Sequence, residues 1–524
     1  MTAAQSEKTT VPPMGIQPVA GEYFISPEED RKVLWKIDRV VMPAMMVVLF
    51  FQYLDKQAIN YATVFDMNKD LHLSGSGFSW VITIFYFGQM IGTFLSVYTI
   101  SRFHTVKVVG ITMYVRSSFG PFSFRSLYCS YIGSKFSFFW GLCEMCFAAT
   151  KNFAGIATAR FFLGFCEGAV SPGFITITSN WYKRTEHPIR IAWWTTSGGL
   201  ATICGAILMY LVGGAHSMAI AQWRVMFLIC GGATLVMGVL FFFTMPLDTT
   251  VAWFLNNDER RIATERLALD RVTRDRLEFS SAQLVEALRD PLAWLYFLFA
   301  FFICLPSPIL KFSSLVIDGF GFTNFQTMLV GLPSGALQII AVWMSALGMR
   351  WTKDMRSWWG FLMTLVPLVG SITMLSLPKS DKWGIVVSTW LAACTSSLMM
   401  ISSSMIASNI QGNTKKSAIS NMFFIGYTIG CIAGPQLWTA QDAPRYTKGC
   451  IASIISWGLL LMAYSIHYFY LKRENKRRAT LVMEMNAAES TANEEEISKA
   501  DNHIGIEIDS DLTDRQDLRF VYRL

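Results

Sequence analysis

The chain has 524 residues, of which 52% are hydrophobic and only 15% are charged. Soluble proteins carry about 25% charged residues, so this composition excludes an ordinary soluble protein and predicts a polytopic membrane protein. The formal net charge of +7 does not indicate a nucleic-acid partner, because the basic residues fall in short stretches between apolar runs, as the positive-inside rule describes. Most of the ten cysteines lie within apolar runs and therefore predict no disulfide framework.

Residues 1–39 form a polar N-terminal tail without the apolar core of a cleavable signal peptide. Basic residues precede the first apolar run, namely Arg31, Lys32, Lys36 and Arg39. By the positive-inside rule, these charges place the N-terminus in the cytoplasm. The first helix must then act as its own insertion signal.

The first predicted span, residues 41–62, carries Asp55 and Lys56 side by side inside an apolar run. A charge at the centre of a membrane helix costs about 2.5–3.5 kcal/mol on insertion scales, so such residues indicate a polar cavity or a charged partner. Gln52, Lys56 and Asn60 follow each other at intervals of four and therefore share one helix face. An internal contact between Asp55 and Lys56, or a helix that ends before them, is the alternative explanation.

Further spans of the N-terminal half are predicted at residues 78–100, 153–180, 191–212 and 224–245. Gly88 and Gly92 form a GxxxG motif in the first of these, which lets another helix approach closely. The third span is interrupted, because its apolar halves are separated by residues 116–137, which bring basic residues, proline and many serines. Neither half reaches the ~20 residues that a span requires. We therefore predict that residues 116–137 are an insertion, of the kind that translated non-coding sequence would produce.

The span at residues 153–180 carries Arg160 and Glu167, whose separation of seven places both on one helix face. Intramembrane ionisable residues of this kind indicate a functional site by default. A fixed ion pair between Arg160 and Glu167 is the structural alternative.

Residues 246–290 are dense in charge and are predicted to be a cytoplasmic linker. The C-terminal half follows, with spans predicted at residues 291–317, 325–347, 357–377, 383–410, 417–437 and 449–470. Residues 471–524 form a tail that begins basic, turns acidic and is expected to be cytoplasmic and mobile. The sequence thus predicts an all-α polytopic membrane protein of about twelve transmembrane helices, in six-helix bundles at residues 40–245 and 291–470. Secondary transporters with this plan bind their substrates at the midplane between the repeats.

Several stretches resemble the major facilitator superfamily, and specifically its fungal anion:cation symporter branch with its allantoate permease-like members. They are FFQYLDKQAINYA, ATARFFLGFCEGAVSPG, NWYKRTE, FLNNDERRIATERL, GFGFTNFQTMLVGLPSG, IQGNTKKS, GPQLW and DAPRYTKG. The resemblance implies a major facilitator fold, alternating access and proton-coupled symport of a small organic anion such as allantoate, ureidosuccinate or pantothenate. It also implies residence in the plasma membrane. The turn SRFHTVK places Arg102 in the superfamily's gating motif, but Ser101 stands where that motif often has aspartate.

An anionic substrate requires a cationic anchor, for which we predict Lys56 and Arg160, with Lys311 as the third candidate. We expect Asp55 to belong to the substrate-binding residues and to orient Lys56. We expect Glu167 to carry the coupled proton, because it lies on an apolar, glycine-rich helix face. Asn60 and Gln436 are predicted to hydrogen-bond the substrate, although Gln436 is equally suited to bridging helices.

Symport requires no cofactor beyond the proton gradient, and the expected partners are the anionic solute, protons and the lipid bilayer. We expect a monomer that binds no nucleic acid. An enzyme is not predicted, because the sequence contains no P-loop, no H-E-x-x-H and no G-x-S-x-G motif. The alternative is a nutrient receptor that binds the same anions and signals through its tails without net transport.

Overall fold

The computed structural model describes residues 26–73, 77–102, 137–168, 170–214, 220–246, 248–268, 279–311, 317, 323–352, 354–378, 380–392, 394–438, 446–491 and 511–524. All regular elements within these ranges are helices. The predicted insertion at residues 116–137 lies outside the described residues except for its last residue, and so does the first apolar half of the third span.

The N-terminal half contains eight of these helices. They are α1 (Pro27–Val64), α2 (Met67–Asp70), α3 (Gly77–Arg102), α4 (Ser137–Phe147), α5 (Phe153–Glu167), α6 (Val170–Trp181), α7 (His187–Gly213) and α8 (Gln222–Thr244). The first helix begins well before the predicted span because Ser26 and Glu29 form a capping box and Pro27 occupies the first turn. Its 38 residues extend about 57 Å at 1.5 Å per residue, which exceeds the hydrocarbon thickness of a bilayer.

The linker contains a short 3-10 helix (Thr249–Val251), α9 (Asn257–Ala268) and α10 (Ser281–Arg289). The C-terminal half contains α11 (Pro291–Cys304), α12 (Pro308–Lys311), α13 (Asn324–Trp351), α14 (Arg356–Ser376), α15 (Lys382–Ala392), α16 (Thr395–Asn409), α17 (Asn413–Leu437) and α18 (Thr447–Thr491). Within the described ranges, nine helical segments are long and apolar enough to cross a membrane, or ten if the bent pair α10 and α11 counts as a span. The fold is that of an all-α polytopic membrane protein.

Small residues set the closest helix contacts. A Cβ atom added to Gly88 or Gly92 of α3 would collide with the backbone carbonyl of Phe161 or Phe165 in α5, so the GxxxG motif does permit close approach. The two halves also meet through backbone contacts, because α7 packs on α13 and α3 packs on α17. These crossings leave a space between the halves near the middle of the bundle.

We call the end of the bundle that carries α9 and α10 the linker face. Lys36 of α1 donates to Glu259 of α9 at 2.7 Å, and this hydrogen bond holds the pKa of the Glu259 carboxyl below its ordinary value. The two halves are joined on this face, since Arg184 Nε donates to the carbonyl of Ser408 at 2.7 Å and His187 Nδ1 lies 3.1 Å from Ser408 Oγ. The linker face is therefore closed.

The C-terminal tail, predicted to be mobile, is described in two parts, residues 471–491 and 511–524. Helix α18 continues as far as Thr491, and residues 511–524 pack against the linker face. Hydrogen bonds join residues 511–524 to α16 and α18, so this polar segment is held by polar contacts and not by an apolar run.

A cationic cavity between the two halves

A cavity of about 140 Å³ lies between the two halves. Residues of α1, α3, α5 and α7 form one wall, and residues of α11, α13, α16 and α17 form the other. Among the described residues that line it, the charged ones are Lys56 and Arg160. Neutral polar groups, including Asn60, Gln57 and Gln338, and several aromatic rings complete the lining. The cavity wall is therefore cationic.

Lys56 of α1 forms an ion pair with Glu167 at the end of α5. Its Nζ atom lies 2.6 Å from Glu167 Oε2, and the Glu167 side chain is completely buried behind it. The ammonium group also lies 5.8 Å from the ring centre of Tyr53 and 5.6 Å from that of Phe85. The partner of Lys56 is thus Glu167, and the predicted orienting role of Asp55 is not supported by this geometry.

Arg160 of α5 is the second cation of the cavity wall. Its guanidinium lies 5.8 Å from the ring centre of Phe85 and 5.2 Å from that of Phe147. Within the described part of the chain, Nε and Nη2 make no hydrogen bond and Arg160 forms no ion pair with Glu167. The alternative of a fixed pair between these two residues is therefore wrong, and the fork of the guanidinium retains donors for an anion.

A pair of carboxyl groups, Asp55 of α1 and Glu144 of α4, is buried behind the cavity wall. As carboxylates both are acceptors only, and their oxygens have no donor among the described residues. The two carboxyl groups nevertheless lie within hydrogen-bonding reach of each other, and the Trp140 indole lies beside Asp55. If the pair holds one proton between its oxygens, both groups are satisfied, since two ionised carboxylates in contact repel.

This pair changes two sequence-based assignments. Asp55 does not line the cavity, so the prediction that it contacts substrate directly is not supported by its position. Glu144 was missed by the sequence analysis, although a lone acid within the apolar run WGLCEMCF is itself a signal.

The remaining candidates differ in their positions. Asn60 lines the cavity, as expected for a substrate contact. Gln436 instead donates to Thr83 Oγ1 at 3.2 Å, bridging α17 and α3 away from the cavity lining. The substrate-binding assignment of Gln436 is therefore corrected to the bridging alternative. The side chains of Arg102 and Lys311 lie outside the described residues.

A second, smaller cavity shares Gln57, Asn60 and Gln338 with the first. It is also lined by Tyr61, which lies further along α1 from the linker face. The space between the halves thus extends away from the closed linker face. The halves also meet at the opposite face, where the ring centres of Phe65 and Phe325 lie 6.2 Å apart.

Comparisons with known proteins agree on a single family. The sequence profile of the Major Facilitator Superfamily matches residues 45–435. An uncharacterized transporter of Schizosaccharomyces pombe is 32% identical over 96% of this chain and 87% of its own length. The allantoate permease of Saccharomyces cerevisiae is 30% identical over 96% of this chain and 88% of its own length.

The fold also has a counterpart among solved structures. The proton:xylose symporter XylE, in complex with a bromodeoxyglucose, superposes with a TM-score of 0.61 over 84% of this chain and 96% of that one. The sequence identity is 12%, so this likeness concerns the fold alone.

Proposed function

The chain belongs to the Major Facilitator Superfamily and is a membrane transporter, and we propose that it carries a small organic anion together with protons. The observation that carries this proposal is the cationic wall of the cavity, where Lys56 and Arg160 face the space between the halves while the carboxyl groups lie behind them. The similarity to an allantoate permease supports a carboxylate as the solute.

Charge balance supports coupling to protons. If Asp55 and Glu144 share one proton, this pair and Glu167 carry two negative charges, which balance the two positive charges of Lys56 and Arg160. The site is then neutral without solute. Net charge inside a membrane is costly, so entry of a monovalent anion requires one added proton to restore neutrality.

The ion pair between Lys56 and Glu167 provides a place for that proton. An incoming carboxylate competes with Glu167 for the Lys56 ammonium. Protonation of Glu167 removes the competing charge and frees Lys56 for the solute. In this scheme the proton and the anion bind together, and Glu167 is the proton carrier that the sequence predicts.

Arg160 is proposed as the second anchor of the solute. Its guanidinium can bind a carboxylate through two parallel hydrogen bonds, whereas Lys56 acts as a point charge. The ring centre of Phe85 lies 5.6 Å from Lys56 Nζ and 5.8 Å from the Arg160 guanidinium, so one ring is close to both anchors. Asn60 lines the same cavity, and we propose it as a further polar contact of the solute.

We also propose the orientation, the membrane of residence and the oligomeric state of the transporter. We propose that the linker face and both termini lie in the cytoplasm, because the first helix and α18 carry basic flanks. The smaller cavity then lies on the outer side of Lys56, and we propose the plasma membrane as the membrane of residence. We expect a monomer, because the cavity is built from the two halves of one chain.

Uptake by purified protein in liposomes tests this function. Labelled allantoate, ureidosuccinate and pantothenate are offered with the exterior at pH 5.5 and the interior at pH 7.5, with a protonophore as the control. Accumulation that collapses with the protonophore supports the proposal. Equal accumulation with and without the gradient would contradict proton coupling, and the absence of carboxylate uptake would contradict the anion assignment.

A deletion variant tests the predicted insertion at residues 116–137. Transport that is gained only when these residues are removed would support an intrusion into the third span. Transport by the complete chain that is lost on deletion would show that they belong to the functional protein.

A further inference from the structure

The C-terminal segment, residues 511–524, is anchored on the linker face by buried side chains. Phe520 and Tyr522 are each only 3% exposed. Asp514 is fully buried, pairs with Lys415 of α17 at 2.8 Å and accepts a hydrogen bond from the Tyr522 hydroxyl at 2.7 Å. Arg478 of α18 donates to the backbone carbonyls of Asp514 and Phe520 at 2.7 and 3.1 Å. A charge network of this kind holds a defined peptide conformation rather than a loose tail.

Two asparagine side chains bind the backbone of this segment. The Asn475 side chain donates to the Tyr522 carbonyl at 2.8 Å and accepts from the Tyr522 N–H at 2.9 Å. The Asn409 side chain makes the same pair of hydrogen bonds with Arg523, at 2.9 and 2.8 Å. Each asparagine thus replaces one step of a β-ladder and fixes the position of the extended chain. Both asparagines belong to the C-terminal half.

The N-terminal half contacts the segment through Arg184, which follows α6. Its guanidinium lies 4.3 Å from the ring centre of Phe520, and Nη2 donates to the Val521 carbonyl at 3.0 Å. Through Nε the same side chain bonds the Ser408 carbonyl at the end of α16. Arg184 therefore joins the N-terminal half both to the C-terminal half and to the C-terminal segment.

From these contacts we infer that the linker-face ends of the two halves form a binding surface for the chain's own C-terminal segment, which acts as a latch on the closed linker face. Alternating access requires these ends to separate. Separation breaks the contacts of Arg184 with Phe520 and Val521, while Lys415, Asn409 and Asn475 keep the segment on the C-terminal half. The segment therefore stabilises the state in which the linker face is closed, whatever solute the cavity binds.

Hydrogen–deuterium exchange of the full-length protein in lipid nanodiscs tests the latch without any substrate. The variants are a truncation after residue 510, Phe520→Ala, and Val521→Ala as the matched control. The Val521 side chain is 62% exposed, and Arg184 contacts only its backbone. The readouts are peptides covering residues 182–187 in the N-terminal half and residues 404–410 in the C-terminal half.

Truncation is expected to accelerate exchange in both peptides, while the start of α5, on the opposite face, exchanges as in the wild type. The cation–π contact alone corresponds to about a two- to fivefold population change, and Phe520→Ala also removes the packing of a buried ring. This variant should therefore accelerate exchange of residues 182–187 by at least about twofold. Val521→Ala should leave the exchange of residues 182–187 unchanged.

Truncation that affects residues 404–410 but not residues 182–187 would overturn the latch, because the segment would then bind the C-terminal half alone. If truncation accelerates exchange throughout the protein, it has destabilised the whole fold and does not test the latch. The comparison of Phe520→Ala with Val521→Ala then provides the test. Equal exchange of residues 182–187 in these two variants would also overturn the inference. Neither result depends on whether the protein transports an anion.

Discussion

Replacing Glu167 by glutamine removes the negative charge that lies 2.6 Å from the Lys56 ammonium and leaves the side-chain volume nearly unchanged. Removing one partner of a buried ion pair costs about 3–5 kcal/mol, because the other charge is left uncompensated. Lys56 is 16% exposed toward the cavity, so we expect the lower end, about 3 kcal/mol of unfolding free energy without solute. A bound anion should restore much of this loss, because it takes the place of the missing carboxylate.

The same substitution should abolish the proton dependence of transport. In the proposed scheme, one proton enters with each anion, so the apparent affinity of the wild type changes about tenfold per pH unit where Glu167 is ionised. In Glu167→Gln the anion meets no competing carboxylate and requires no proton. The half-saturating anion concentration should therefore be the same at pH 5.5, 6.5 and 7.5.

The assay combines uptake into liposomes at these pH values with thermal melting in the presence and absence of anion. The control is the double variant Lys56→Gln/Glu167→Gln, which removes both charges of the ion pair and should melt above the single variant. Its stabilisation by anion should be smaller than that of the single variant, because Arg160 is then the remaining anchor. A folded Glu167→Gln protein that keeps the pH dependence of the wild type would refute the reasoning. A double variant that melts no higher than the single variant would refute the ion-pair argument even if uptake is undetectable.

Four further predictions concern the cavity and the helix packing around it. Arg160→Lys should raise the half-saturating anion concentration roughly ten- to a hundredfold, because the two-pronged hydrogen bonding is lost; unchanged uptake kinetics would exclude Arg160 as an anchor. Glu144→Gln should melt like the wild type because its amide N–H replaces the shared proton, whereas Glu144→Leu should be less stable by about 1–3 kcal/mol; equal melting of both variants would argue against a shared proton. Gly88→Ala should destabilise the protein by about 1–3 kcal/mol through collision with α5, while Gly232→Ala, whose added methyl meets no atom within 4 Å, should not; thermal melting of both checks the packing. Gln436→Ala should leave the half-saturating concentration unchanged, and a large increase would restore its substrate-binding assignment.

Helix positions were largely predictable, because a bilayer imposes helices with apolar runs of about 20 residues. The spans predicted at residues 191–212 and 224–245 correspond to helices at His187–Gly213 and Gln222–Thr244. The extensions were not predictable from hydropathy, since α1 begins at a polar capping box and α18 continues through a charged sequence to Thr491. Helix propensity and capping, rather than the thickness of the bilayer, determine where α1 begins and where α18 ends.

The sequence by itself identified the polar and charged side chains whose insertion into a membrane costs free energy, and these are the candidates for a functional site. Lys56, Arg160 and Asn60 were identified in this way, and all three line the cavity. Helical periodicity predicts on which face of its helix a side chain lies, but it does not predict which other helix packs against that face.

Only the tertiary structure decided the partners of these residues. It pairs Lys56 with Glu167, places Asp55 against Glu144, and uses Gln436 to bridge two helices. It also positions the polar C-terminal segment through asparagines that lie on α16 and α18, far apart in the chain. These contacts join residues distant in sequence, so they follow from how the helices pack and not from any local pattern.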